Sequence, residues 1–151
     1  MTKMIITFPN GFVAKATVRD KEEPEMVAQM WKVLKDNPTK LFCYHTFSTG
    51  DVYNAYPRSP REPVDTGNQT DFVGHENLLI TELKCGDWSF TGWNFSVDYG
   101  MGTEPVPVGG PVVAKVDPEY MAGYVSACQD IWLHDYVYHK LAVITIAREE
   151  A

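Results

Sequence analysis

The dipeptide Asn10-Gly11, set between two runs with strand patterning, constrains the chain more than any other feature of its sequence. Asn-Gly supplies the positive φ angles that a tight hairpin turn requires. The run before it, residues 4–8, is short and β-branched. The run after it alternates, with Phe12, Ala14, Ala16 and Val18 on one face and Val13, Lys15 and Thr17 on the other. The predicted element is a β-hairpin with one apolar face, which needs a second layer to cover it.

The rest of the chain supplies that layer. Pro24, among Glu22, Glu23 and Glu25, suits a helix N-terminus. Met26, Val27, Met30, Trp31 and Leu34 continue with amphipathic helical spacing that stops before Asn37-Pro38. Residues 41–48 and 52–56 read as extended runs on either side of a Thr49-Gly50-Asp51 turn. Residues 57–68, with Pro57, Pro60, Pro63 and Gly67, read as a long surface loop. Further strands are expected at 78–83 and 88–95, then a second major loop at 98–110 and a short strand at 112–116. Asp117-Pro118-Glu119 predicts a helix start with Asp117 as N-cap. That helix runs to about Trp132, with Tyr120, Tyr124, Ala127, Cys128 and Ile131 on one face, and residues 141–147 form the last strand. Strand runs interrupted by two separated helices predict one domain, 1–151, mainly β with two helices (α+β), built as a closed or nearly closed barrel plugged by the helices.

Composition narrows the partners. A net charge of −7 and a pI near 5.0 repel phosphate backbones and anionic bilayers, so neither nucleic acid nor membrane is an expected partner. No apolar run approaches the roughly 20 residues that span a bilayer, and the N-terminus opens on a strand pattern instead of a signal-peptide core. Cys43, Cys85 and Cys128 are odd in number and far apart, which reads as a reducing, cytoplasmic setting with no disulfide framework. They form no Cys-x-x-Cys pair, so no structural metal is expected, and nothing calls for another cofactor. Aromatics at 13% favour strands and line small-molecule pockets, and they are compatible with a homo-oligomer.

Three stretches, in order, resemble the cyclophilin-like fold. The hairpin leads through Glu23-Pro24-Glu25 into a helix with Trp31 on its apolar face. Phe42-Cys43-Tyr44-His45 stands where cyclophilins have an aromatic-His-Arg strand, and the closing helix is followed by Val143-Ile144-Thr145-Ile146-Ala147. The resemblance implies a cyclophilin-like β-barrel. It does not extend to prolyl isomerisation, because Thr46 replaces the arginine that follows the histidine, and a twisted peptide bond then loses its main electrostatic stabiliser. Residues 44–57 and 74–83 look closer to small bacterial members of the fold, namely uncharacterised cyclophilin-like proteins and the N-terminal domain of cucumopine synthase-like enzymes. The latter join an amino acid's amine to a 2-oxo acid and cyclise the imine, and the resemblance implies their β domain alone.

Several side chains suit such chemistry. His45 has a near-neutral pKa fit for proton transfer, with Tyr44 and Tyr53 nearby, or it is a core histidine with one hydrogen bond. His75, beside Glu76 at a strand start, lines a pocket rim or sits in a solvated turn. Trp93 and Tyr99 can stack on a heteroaromatic substrate, and Asp98 or Glu104 can accept a proton or hold an ammonium. Arg58 and Arg61 can clamp a carboxylate or are solvated charges. The expected catalytic set is His45, Tyr53, Tyr99 and Glu104, and the expected substrate-binding set is Tyr44, His75, Trp93, Asp98 and Arg58. The expected function is an acid/base enzyme that passes an amino-acid-derived small-molecule substrate through an imine. The alternative is a non-catalytic binding module for a small carboxylate or peptide.

Overall fold

The computed structural model describes residues 2–59 and 78–149. The hairpin is β1 (Lys3–Thr7) against β2 (Val13–Val18), in register from Lys3↔Thr17 to Thr7↔Val13. Its connection spans five residues. The Phe8 N–H donates to the Phe12 carbonyl and the Gly11 N–H to the Phe8 carbonyl, both at 2.9 Å. Gly11 takes φ +89°, and Asn10 Oδ1 accepts the Phe12 N–H at 3.0 Å, so each residue of the dipeptide closes the turn in its own way. Met4, Ile6, Ala14, Ala16 and Val18 are buried, as a period-2 pattern facing a core requires.

Next comes α1 (Pro24–Val33), which buries Met26, Val27 and Met30. The chain returns as β3 (Thr39–His45) and β4 (Gly50–Tyr56), and continues through β5 (Asp87–Phe90), β6 (Phe95–Gly102) and β7 (Val112–Val116). It ends with α2 (Met121–Leu133) and β8 (Ala142–Glu149). Among the described residues the strands close into one antiparallel barrel, β1-β2-β7-β5-β6-β4-β3-β8, with the last strand between the first and third. The expected class is the observed one: mainly β with two helices and a closed barrel. Because α1 joins the end of β2 to the start of β3, and α2 joins the end of β7 to the start of β8, the helices plug opposite ends.

Four local expectations give way to the structure. Residues 78–83 are not a strand: they hold a 3-10 turn at Ile80–Glu82, because Glu82 Oε1 reaches back to the Leu79 N–H at 2.9 Å and closes the chain locally. Leu83 then packs with Val52, Val108 and Val112 as a small second core outside the barrel. Residues 88–95 are not one strand, because Thr91 and Asn94 bond each other around Gly92 at φ +102° and fold the run into a hairpin. Residues 98–102 belong to β6 and not to a loop. Gly100 and Gly102 leave room there for the Asp51 carboxylate and the Ile80 carbonyl, which a Cβ would overlap. Finally, the Asp117 carboxylate caps no helix. It accepts from Lys3 Nζ at 2.6 Å and Thr17 Oγ1 at 2.5 Å, tying the hairpin to the segment that enters α2.

The plug at the α2 end is Tyr124, Ala127, Cys128 and Ile131, all fully buried. Ile131→Ala leaves a cavity under the barrel mouth and is expected to cost about 2–5 kcal/mol, read as a lower urea midpoint with an unchanged m-value.

Candidate functional site

On β3 the alternation turns Leu41, Cys43 and His45 inward, and on β6 it turns Phe95, Val97 and Tyr99 inward. β4 lies between them and pairs His45 with Tyr53 and Tyr53 with Val97. Three polar aromatic side chains therefore meet in the interior at the α2 end. His45 Nε2 lies 2.7 Å from Tyr99 Oη, and the His45, Tyr53 and Tyr99 rings are 5.7–6.0 Å apart.

The tautomer of His45 follows from its other nitrogen. Nδ1 lies 2.8 Å from the Thr46 carbonyl oxygen, which can only accept, so Nδ1 carries the proton. Nε2 is then free to accept, and the Tyr99 hydroxyl donates to it. Burial lowers the His45 pKa, an effect opposed by the Thr46 carbonyl and the charges of Asp135 and Asp51, so the ring is neutral at pH 7. Burial also raises the pKa of Tyr99, with Asp51 adding to the shift. The pair is a neutral base holding the proton of a neutral phenol.

Two further residues, absent from the sequence-based set, fix the main chain of His45. After α2 the helix widens into one π turn, His134–Tyr138. Asp135 Oδ2 accepts the His45 N–H at 2.8 Å, and the Tyr136 hydroxyl donates to the His45 carbonyl. π turns recur at functional sites because they re-aim side chains that an α-helix would spread apart. No motif in the sequence marks these two residues, because each bonds a main-chain atom of His45.

The other expected residues are distributed as follows. Tyr53 lies deeper, with Oη 3.5 Å from Cys128 Sγ, and burial raises both their pKa values. Glu104 is on the rim at the same end, where Oε2 accepts from Ser48 Oγ at 3.1 Å; Thr103 Oγ1 donates to the Ser48 carbonyl at 2.7 Å, latching residues 48–49 to 103–104. Tyr44 points outward from the barrel and is exposed. Trp93 lies in the β5–β6 turn at the α1 end, against Tyr56 at 5.3 Å, so the structure does not bring it to His45. Arg58 is exposed beyond the end of β4 at that same far end. His75, Glu76 and Arg61 lie outside the described residues.

Asp98 is on the outer face of β6, pairing with Val52, and its carbonyl accepts the Gly86 N–H at 2.9 Å. Its Oδ1 accepts the Gly100 N–H at 2.9 Å, while Oδ2 is buried with no hydrogen-bond partner. Burial first, then the charges of Asp87 and Asp51, raise its pKa to about 7, with the Gly100 N–H opposing them. Despite these carboxylates, no group of three or more His, Cys, Asp or Glu side chains among the described residues is arranged to hold a metal ion. A shallow depression lined by Trp31, Leu34, Asn37, Ile146 and Arg148 lies at the α1 end and contains none of the groups above. At the His45 end, by contrast, a proton donor and a proton acceptor are in direct contact. No helix is long and apolar enough to cross a membrane among the described residues.

No protein family and no curated protein sequence matches the chain. A solved structure does: McbB in complex with tryptophan superposes with a TM-score of 0.76 at 20% sequence identity. The match covers 98% of this chain and 45% of McbB, so the chain spans less than half the length of that neighbour, and at this identity the likeness establishes the fold.

Asp98 makes stability depend on pH in a stated direction. Its folded pKa lies above the unfolded value, so between pH 4 and 7 the folded state holds a proton that the unfolded chain has released. Stability from this group is present at low pH and lost as pH rises through that window. His45 acts oppositely, since its lowered pKa removes stability as pH falls below its ordinary value of 6.5. Urea denaturation of Asp98→Asn and wild type across pH 4–8 separates the two: the variant is expected to lose the decline that accompanies rising pH between 4 and 7 and to keep the loss that accompanies falling pH below 6.5.

Proposed function

We propose that this chain binds an amino-acid-derived amine and a carbonyl compound at the α2 end of the barrel. There it moves the protons of imine formation and of a following cyclisation of the Pictet–Spengler type. The observation that carries this reading is the His45–Tyr99 hydrogen bond, 2.7 Å long and buried, with its direction set by the Thr46 carbonyl. A substrate N–H or C–H proton passes to Tyr99 Oη as the phenolic proton passes to His45 Nε2. The imidazolium so formed keeps its Nδ1–H on Thr46 and faces the negative charges of Asp135 and Asp51. Running backwards, the same pair protonates the hydroxyl of the carbinolamine, which leaves as water while the C=N bond forms. Glu104 and Asp51 near the mouth favour a cationic amine as the incoming partner. Support also comes from the fold shared with McbB, whose solved complex contains tryptophan.

The mechanism requires that substrate reach a buried pair. His45 is 1% and Tyr99 5% exposed, so a substrate reaches them when the latch between residues 48–49 and 103–104 opens. The Ser48–Glu104 and Thr103–Ser48 bonds in this latch are exposed and compete with water, so breaking them costs little. The same low exposure favours the second reading, a binding module in which His45 and Tyr99 only shape the floor of the site.

The two readings separate in one experiment. The purified chain is screened by thermal shift against amino acids, their decarboxylated amines and 2-oxo acids, and mixtures that stabilise it are examined by mass spectrometry. The enzyme reading expects a condensed product, with turnover reduced on the order of 100-fold or more in His45→Gln and in Tyr99→Phe while both variants stay folded. Stabilisation without product in every mixture would leave the binding module. Product formation untouched by both substitutions would remove the dyad from the mechanism.

A further inference from the structure

The outer face of the β8-β3-β4 sheet carries large apolar side chains where a water-facing sheet carries polar ones. β3 turns Phe42 and Tyr44 outward, the latter 58% exposed. The ladders set Val143 and Tyr56 on either side of Phe42, and Leu141, 67% exposed, precedes β8 just beyond the Cys43↔Ala142 pair. Past the strand ends, Phe47 is 78% exposed and stacks on Tyr136 at 4.2 Å, and the exposed Val137 and Tyr138 follow in the π turn. Taking about 200 Å² for a large side chain, Phe42, Tyr44, Phe47, Val137, Tyr138 and Leu141 leave on the order of 700 Å² in water. That exceeds the few hundred Å² of apolar patch usual on a monomer. With the partly exposed Tyr56, Tyr136 and Val143 it approaches the roughly 800 Å² that each partner buries in a stable complex.

Charge selects the occupant. The chain carries −7, yet among the described residues the outward positions around Phe42 are Lys40, Phe42 and Tyr44 on β3, Asn54 and Tyr56 on β4, and Val143, Thr145 and Ala147 on β8, and the acid farther along β8, Glu149, is paired with Lys15 at 3.0 Å. The nearby Asp135 is turned to the His45 N–H. Two copies of the chain can meet here without opposing carboxylates, and a strip of Tyr and Phe anchors flanked by polar residues is the composition of a homodimer interface. We infer that a second copy of this chain docks face to face on the β8-β3-β4 surface, related by a two-fold axis, so that Tyr44 and Leu141 of each copy are buried in the contact.

Sedimentation velocity on the full chain tests this, at concentrations up to about 100 μM, above the micromolar range in which interfaces of this size hold. The wild type is expected to sediment as a dimer. Tyr44→Glu combined with Leu141→Glu is expected to weaken association on the order of 100-fold or more, with circular dichroism showing a folded barrel. Val13→Glu, at an exposed apolar position on β2, serves as the control that stays dimeric. If the double variant fails to fold, Phe47→Ser, at a largely exposed site, reads the same interface. A wild type that stays monomeric throughout, or a dimer that survives the patch variants, overturns the inference.

Discussion

The pairing of β8 with both β1 and β3 closes the barrel, and the interior depends on that closure. Without β8 the remaining strands form an open sheet with two free edges, each a row of unpaired N–H and C=O groups. Closure also decides where His45 points. β3 is held by β4 on one side and β8 on the other, with Cys43 opposite Ala55 and Ala142. A slip of one residue would turn His45 to the surface and Tyr44 to the interior. Because the first and last strands make the seam, His45 and Tyr99 acquire their fixed places only when the whole chain is paired, and such long-range pairing is slow to form.

Inside the barrel, polar groups are used sparingly and almost always in pairs. His45 makes hydrogen bonds through both ring nitrogens and through its backbone N–H and carbonyl. Tyr124 donates to the Asp98 carbonyl at 2.6 Å, and Tyr53 meets Cys128. A network of this kind is rigid because losing one partner strands another in a low-dielectric interior. On the outer face of β6, Asp98 Oδ2 stands apart from this economy: it is buried with no hydrogen-bond partner, and its cost is carried as a raised affinity for a proton.

Much of the architecture was legible wherever local signals agreed with burial. Asn10-Gly11 marked the hairpin, Pro24 the first helix, and the spacing of Tyr124, Ala127, Cys128 and Ile131 the plug. The sequence misled where a glycine served space and not flexibility, as at Gly100 and Gly102, and where an apolar run packed outside the barrel, as at Leu83. For the candidate site, His45 and Tyr99 were readable as chemistry but their contact was not, since they are 54 residues apart and meet only through β4. Trp93 looked equivalent to Tyr99 in composition, yet the turn at Thr91–Asn94 leaves it at the other end of the barrel. Asp135 and Tyr136 were invisible because their partners are main-chain atoms, which no side-chain motif announces.

The group that orients the His45 imidazole is the carbonyl of the next residue. Where hydrolases use an aspartate to hold the tautomer, this barrel uses the peptide bond itself, and that choice has a consequence for how the site can change over time. An orienting carboxylate is lost by a single substitution, whereas the carbonyl at position 46 is supplied by whichever residue stands there. The Thr46 side chain is accordingly free for another task, a hydrogen bond with Thr49 across the turn. Any residue at position 46 presents the same carbonyl to Nδ1, so the orienting atom would leave no trace in a catalogue of side chains.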